Sequence, residues 1–253
     1  MIDDFLITEK NYLRILWHTH LPMDKEKLER VEELLLATKL QNERGSMIYS
    51  ADSTLTKGDF YFLGQNPGGN DEAKYGKDTI LNQLLYSAEH NEYLEGEWKG
   101  TKGKIHQHNI KRMFEDLELN LKNIFSTNLS FIRSSQTETY SRNLKQDYDI
   151  FWPIHEFFLS IVEPKFIIAN GAQPRDFFKK KMINISNKEK KEMRSYGKYI
   201  HFANSFTGSL ITEKLTLENL SVLAIPHLSN VTNNLEDYEN YYKDGVEWLK
   251  SKI

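Results

Sequence analysis

The sequence has no cysteine. That excludes a disulfide framework, a thiol nucleophile, a thiolate zinc site and a cysteine-ligated iron–sulfur cluster. It also lacks any apolar run near the roughly 18–20 residues needed to cross a bilayer. The start, Met1-Ile2-Asp3-Asp4, has neither the basic region nor the apolar stretch of a secretory leader, so a cytoplasmic protein is expected. Proline and glycine are sparse, 6 and 13 in 253 residues, and no repeat or linker-like tract interrupts the chain, which reads as one folded unit. An excess of charge is missing as well: 33 Lys and Arg stand against 36 Asp and Glu, a net charge of −3. Net charge therefore neither requires nor forbids a nucleic-acid partner.

What is present is aromatic and apolar material in short runs. Asp24 is placed to cap a helix reaching about Gln41, with Leu28, Val31 and Leu35 on one face and Gly45 as a stop. Phe60–Leu63 reads as a buried strand entering the tight loop Gly64-Gln65-Asn66-Pro67-Gly68-Gly69. Helices are expected over 80–93 and 110–121, a strand over 123–129, and a long apolar helix over 148–162 ending at Pro164. A further strand covers 165–171, with a helix near Arg175. The segment from Arg175 to Lys198 carries nine Lys or Arg against three acids and reads as a solvated helical face with a loop. Residues 199–203 and 221–225 read as strands, and 235–252 as a closing aromatic helix.

Strands alternating with helices predict an α/β fold of three layers, α/β/α, around a short central parallel sheet. Residues 1–57 are read as an N-terminal helical extension packed on the core, and 58–253 as the α/β domain. Ligands of such sheets lie outside the carboxyl ends of the strands. Three of those ends carry polar loops: 64–69, 128–130 and 227–230. The first has neither the Walker spacing nor Gly-x-Gly-x-x-Gly, and is either a ligand loop or a plain turn. Asn128 offers one acceptor and two donors, or serves as a turn residue. His227 can stabilise charge near neutral pH, or be a hydrogen-bonded structural histidine. Two His-x-His pairs, His18/His20 and His106/His108, have metal-ligand spacing without a carboxylate in register.

Taken together, the loops resemble the uracil-DNA glycosylase superfamily, most closely its single-strand-selective monofunctional branch. Phe62-Leu63-Gly64-Gln65-Asn66-Pro67-Gly68 is similar to the first motif, Thr127-Asn128-Leu129 to the base-reading strand, 164–172 to the Pro-x-x-Ile-x-x-x-Gly strand, and His227-Leu228-Ser229 to the His-Pro-Ser motif. Leu228 stands where that motif carries proline, 231–233 has no clear match to the helix-invading wedge, and the first 57 residues match nothing recognised. The resemblance implies a uracil-DNA glycosylase-like fold and hydrolysis of the bond between a base and its deoxyribose. Catalysis would fall to Asn66, holding water, and His227, donating to the uracil oxygen. Gly64, Gln65, Pro67, Gly68, Tyr75, Asn128 and Ser229 would bind the base. Arg133, Ser134, Ser135 and Asn230 would meet DNA. It implies no metal and no organic cofactor, a monomer, DNA as partner (single-stranded, or duplex with a lesion) and no membrane. The alternatives are a catalytically silent protein of the same fold that binds nucleic acid or protein, and a metal-dependent hydrolase using the histidine pairs.

Overall fold

The apolar runs become neighbouring strands because each is too short and too uniformly buried to be a helix face. The computed structural model describes residues 24–68, 78–86, 90–96, 98, 100–134, 144–196, 199–229 and 236–253. Strands β1 (Phe60–Gly64), β2 (Phe125–Asn128), β3 (Phe166–Asn170), β4 (Ile183–Tyr196), β5 (Tyr199–Ile211) and β6 (Thr216–Ile225) form one sheet in the order β2-β1-β3-β6-β5-β4. The first four of that order are parallel, and β5 and β4 continue the sheet antiparallel. Tyr61 lies opposite both Phe125 and Ile167, and Ile168 opposite Leu223.

Side chains alternate across a strand, so one register builds two cores. Tyr61, Leu63, Ile167, Ala169, Val222 and Ala224 join the cluster of α1 (Lys25–Thr38), α2 (Ile80–Tyr86), α4 (Leu144–Val162) and α5 (Ala172–Lys181). Phe62, Ile168, Leu223 and Ile225 join the opposite cluster, with α3 (Gly100–Asp116), α6 (Asp237–Tyr241) and α7 (Lys243–Lys250). The expected α/β layering is therefore present, but the sheet is mixed rather than wholly parallel. Among the described residues, no helix is long and apolar enough to cross a membrane.

Several elements differ from the sequence expectation, each for a local reason. The basic segment is helical only to Lys181, and 183–196 is an edge strand rather than a helical face with a loop. Asn184 and Asn187 take positive φ (52° and 48°), which the short amide side chain tolerates, and the register shifts around them. Lysines on an edge strand discourage pairing with other chains. Residues 204–211, rich in Ser, Thr and Gly, continue β5 because Phe206 and Leu210 are buried. The first helix stops at Thr38 with Lys39 left-handed (φ 60°), not at Gly45. Gly45 is instead a packing position, where a Cβ would run into the Phe131 carbonyl. The closing helix is two short ones meeting at Tyr242.

Residues 44–50, read as part of the extension, lie along the outer side of β2. Ile48 bridges Thr127, the Tyr49 N–H donates to the Ser126 carbonyl at 2.9 Å, and Thr127 Oγ1 donates to the Met47 carbonyl at 2.6 Å. They satisfy backbone groups that an edge strand would otherwise leave open.

The long helix α4 presents Phe151, Ile154, Phe158, Leu159 and Val162 to the sheet, and each is essentially fully buried. Pro153 faces solvent, where the carbonyl it cannot serve meets water. Beside these residues lies His155, 1% exposed. Its Nε2 is 3.1 Å from the Leu129 carbonyl, which can only accept, so Nε2 carries the proton. Nδ1, 3.1 Å from the Tyr61 hydroxyl, therefore accepts. Burial lowers this imidazole from 6.5 to about 4.

The unfolded chain takes up this proton below about pH 6.5, whereas the folded chain does so only near pH 4. The His155 contribution is thus whole above pH 6.5 and falls by about 3 kcal/mol as the pH drops to 4. Urea unfolding of His155→Gln is expected to show a stability loss that much smaller over this range, at a cost of ~1–2 kcal/mol at pH 7. An unchanged pH slope would contradict the assignment.

Candidate functional site

Four parallel strands in register bring four strand ends level, and the polar loops follow from these ends. Gly64 pairs with Asn128, and a Cβ on Gly64 would overlap Asn128 Oδ1. Glycine is required here by the close approach of the amide. The loop after β1 is then laced to the segment after β2 by backbone bonds. Leu129 N–H donates to the Gly64 carbonyl at 3.0 Å, Ser130 N–H to Gln65 at 2.9 Å and Ser134 N–H to Pro67 at 3.0 Å. Asn66, half-buried, donates through Nδ2 to the Pro67 carbonyl at 3.0 Å and to the Ser134 carbonyl at 3.5 Å. That arrangement leaves Oδ1 as the acceptor end of the side chain.

Gly68 is exposed, and the Arg133 guanidinium donates to its carbonyl. Arg133 and Ser134 thus bind the first loop itself. Gln65 and Asn128 are 8% and 3% exposed; among the described residues Gln65 Nε2 has no hydrogen-bond partner, and the Asn128 amide bears on the Tyr49 hydroxyl. An orphaned amide donor costs about 1–3 kcal/mol unless something accepts from it.

The other side of the crevice is built on β3 and β6. Gly171, at φ 116°, turns the chain after β3, and a Cβ there would meet the His227 ring at 3.4 Å. His227 Nδ1 lies 2.6 Å from Ser229 Oγ, and the Ser229 N–H points at it from 3.3 Å. An N–H can only donate, so Nδ1 is the acceptor and the proton of the neutral ring sits on Nε2. Burial lowers the imidazole to about 4, keeping it neutral near pH 7. Strands are about 4.8 Å apart, so the ends of β1 and β6, with β3 between them, stand roughly 10 Å from each other. That span admits a planar heterocycle with a hydrogen bond on each side.

The loop carrying His227 is held by residues that the sequence reading did not single out. Leu228 is fully buried; its N–H donates to Asn170 Oδ1 at 2.9 Å, and its carbonyl accepts from Asn109 Nδ2 at 3.0 Å. Asn170 Nδ2 then donates to His106 Nε2 at 3.2 Å. A proline at position 228 has no N–H for Asn170, so leucine suits this clamp. The His106 ring packs 4.8 Å from His227, and burial, with His227 beside it, holds His106 well below the usual histidine range. Tyr242 completes the support by donating to the His227 carbonyl at 3.0 Å. Aromatic rings continue from His106 through Trp98 and Tyr93 to Tyr49, with centroids 5.3–5.7 Å apart. Burial raises both phenols above their ordinary value.

Asn170 carried the same signal as Asn128, an amide at a strand end. His106 lay within a His-x-His pair, whereas Asn109 gave no signal because its role depends on how α3 packs. Among the described residues there is no cluster of three or more His, Asp or Glu that could hold a metal. Tyr75, Ser135 and Asn230 lie outside the described residues, as do His18, His20 and 231–233. No protein-family model matches the sequence, and no curated protein matches it.

Asn170→Ala is expected to leave the buried Leu228 N–H unpaired and to lower stability by about 1–3 kcal/mol, as read by urea denaturation. Gly64→Ala is expected to displace the Asn128 amide. Any ligand reading that amide should bind the variant at least tenfold more weakly. Full-strength binding would remove Asn128 from the site.

Proposed function

We propose that the protein is a monofunctional DNA glycosylase that hydrolyses the N-glycosidic bond of uracil or a related base in DNA. The observation that carries this reading is the buried amides of Gln65, whose nitrogen is unpartnered, and Asn128, at the carboxyl ends of the same parallel strands as a neutral His227 protonated on Nε2. Amide groups and an imidazole N–H suit a flat ligand rich in carbonyl oxygens.

A base within a duplex is out of reach, so it is extruded at a cost of a few kcal/mol, most of which a single strand avoids. Asn128 accepts from uracil N3–H through Oδ1 and donates to O4 through Nδ2. Cytosine offers the reverse pattern on that edge and leaves a buried amide unpaired, a penalty of ~1–3 kcal/mol. Asn66 Oδ1 holds a water near C1′. An amide is too weak a base to deprotonate that water beforehand, so Asn66 positions it. As the C1′–N1 bond breaks, its electron pair leaves with the base. The sugar gains positive charge, and the water oxygen bonds to C1′. The water then gives up a proton to solvent and the uracil anion takes one up, leaving an abasic sugar and free uracil. His227 Nε2–H donates to the O2 oxygen as negative charge gathers there. A donor fixed in place before the reaction contributes on the order of 3–4 kcal/mol.

The test is single-turnover release of uracil from a labelled oligonucleotide with one deoxyuridine, single- and double-stranded, using wild type and His227→Ala. Release from wild type is expected, slowed about 10²–10³-fold in the variant. Burial keeps the imidazole neutral down to about pH 4, so no change in rate should track an ordinary histidine titration near 6.5. Binding of the oligonucleotide with no base released would make the protein a binding module of similar architecture.

A further inference from the structure

The β4–β5 hairpin has no part in the chemistry proposed above, yet the sheet register carries it to the same crevice. Asn204 of β5 pairs with Ala224 of β6 and with Lys190 of β4, so Lys190 is level with the end of β6. The residues beyond, 191–196 and 199–203, extend the hairpin past Ile225, on the side where His227 follows. Four residues, 199–202, at about 3.4 Å each project roughly 14 Å beyond the strand end. The hairpin is therefore an arm standing beside the His227 wall.

Its two faces differ. Met193 and Ala203 are buried in the cluster with α7, so that face is covered. The other face bears Phe202, half-buried, and Ile200, 57% exposed. Lys190, exposed, shares this face with Asn204, and its Nζ rests 4.8 Å from the centroid of the Phe202 ring. Lys188 is also exposed, and among the described residues neither lysine has an ion pair. Lys191 pairs with Ala203 and so lies on the covered side, and Glu189 is neutralised by Lys252 at 2.6 Å. Glu192 pairs with Phe202 and is the one acid on the Lys190 face among the described residues of β4. Over 188–198 the sequence has five Lys or Arg against two Glu, in a chain whose net charge is −3. Unpaired cations beside a half-buried aromatic and an exposed aliphatic side chain are the equipment for holding single-stranded nucleic acid, with phosphates on the lysines and bases on the apolar face.

We propose that the β4–β5 arm grips the single strand flanking the extruded nucleotide, through Lys188 and Lys190 to phosphates and through Ile200 and Phe202 to bases. This rests on the glycosylase reading for the strand's identity as DNA, but not on any catalytic step.

The test is binding of a fluorescein-labelled thymidine 15-mer across a salt series, with wild type and the double variant Lys188→Ala/Lys190→Ala. Matched thermal unfolding confirms the variant's fold. The variant is expected to bind at least tenfold more weakly. Loss of two phosphate contacts should reduce the log K against log salt slope by about 1.4. Unchanged affinity and slope in the double variant, or no binding by wild type, would overturn the arm. Photocrosslinking of wild type to a 15-mer bearing 5-iododeoxyuridine needs no variant. Adducts on peptides from 199–211 are expected, and adducts confined to other segments would also overturn it. Arm-dependent binding with no uracil release would instead overturn the glycosylase reading and leave the arm standing.

Discussion

In-register parallel pairing of β2, β1, β3 and β6 is the constraint on which the rest depends. Parallel strands all finish at the same edge, so polar residues placed just after each apolar run arrive together without contact between them in the sequence. Asn128 meets Gly64 because the two are register partners. Asn170 reaches Leu228 because β3 and β6 are neighbours. A slip of one residue would exchange the two cores and turn these ends away from one another.

The crevice that results is asymmetric. On the β1–β2 side, backbone bonds lace two loops together and leave the buried Gln65 amide nitrogen without a partner. On the β3–β6 side, side-chain contacts converge on one loop: Asn109, Asn170, His106, Ser229 and Tyr242 all bear on the three residues from His227 to Ser229. One side presents its amides to the loop region, and the other holds an imidazole in a single tautomer. His155 adds remote support by fixing the Leu129 carbonyl next to Asn128.

Much of this was legible from the sequence, since it lies in local pattern. The apolar runs at 60–63, 165–171 and 221–225 mark strands by their length and uniform burial, and Gly64 to Gly68 mark a tight turn by their residue types. The absence of cysteine removes whole classes of chemistry. Asn66, Asn128 and His227 stand out as polar residues at the ends of apolar runs. These features follow from the preferences of neighbouring residues and need no knowledge of the rest of the chain.

Other features depend on partners distant in sequence, and only the tertiary structure decided them. The lysine-rich stretch 183–196 has the composition of a solvated helix face, yet it is a strand because β5 offers it a hydrogen-bonding edge. The Ser- and Thr-rich half of β5 looks like a loop until Phe206 and Leu210 find the core. Asn109 is an unremarkable polar residue on a helix until α3 docks and brings its amide to the Leu228 carbonyl. The physical reason is the same in each case: strand pairing and buried hydrogen bonds draw their free energy from contacts across the fold, and local sequence carries no record of what will lie opposite.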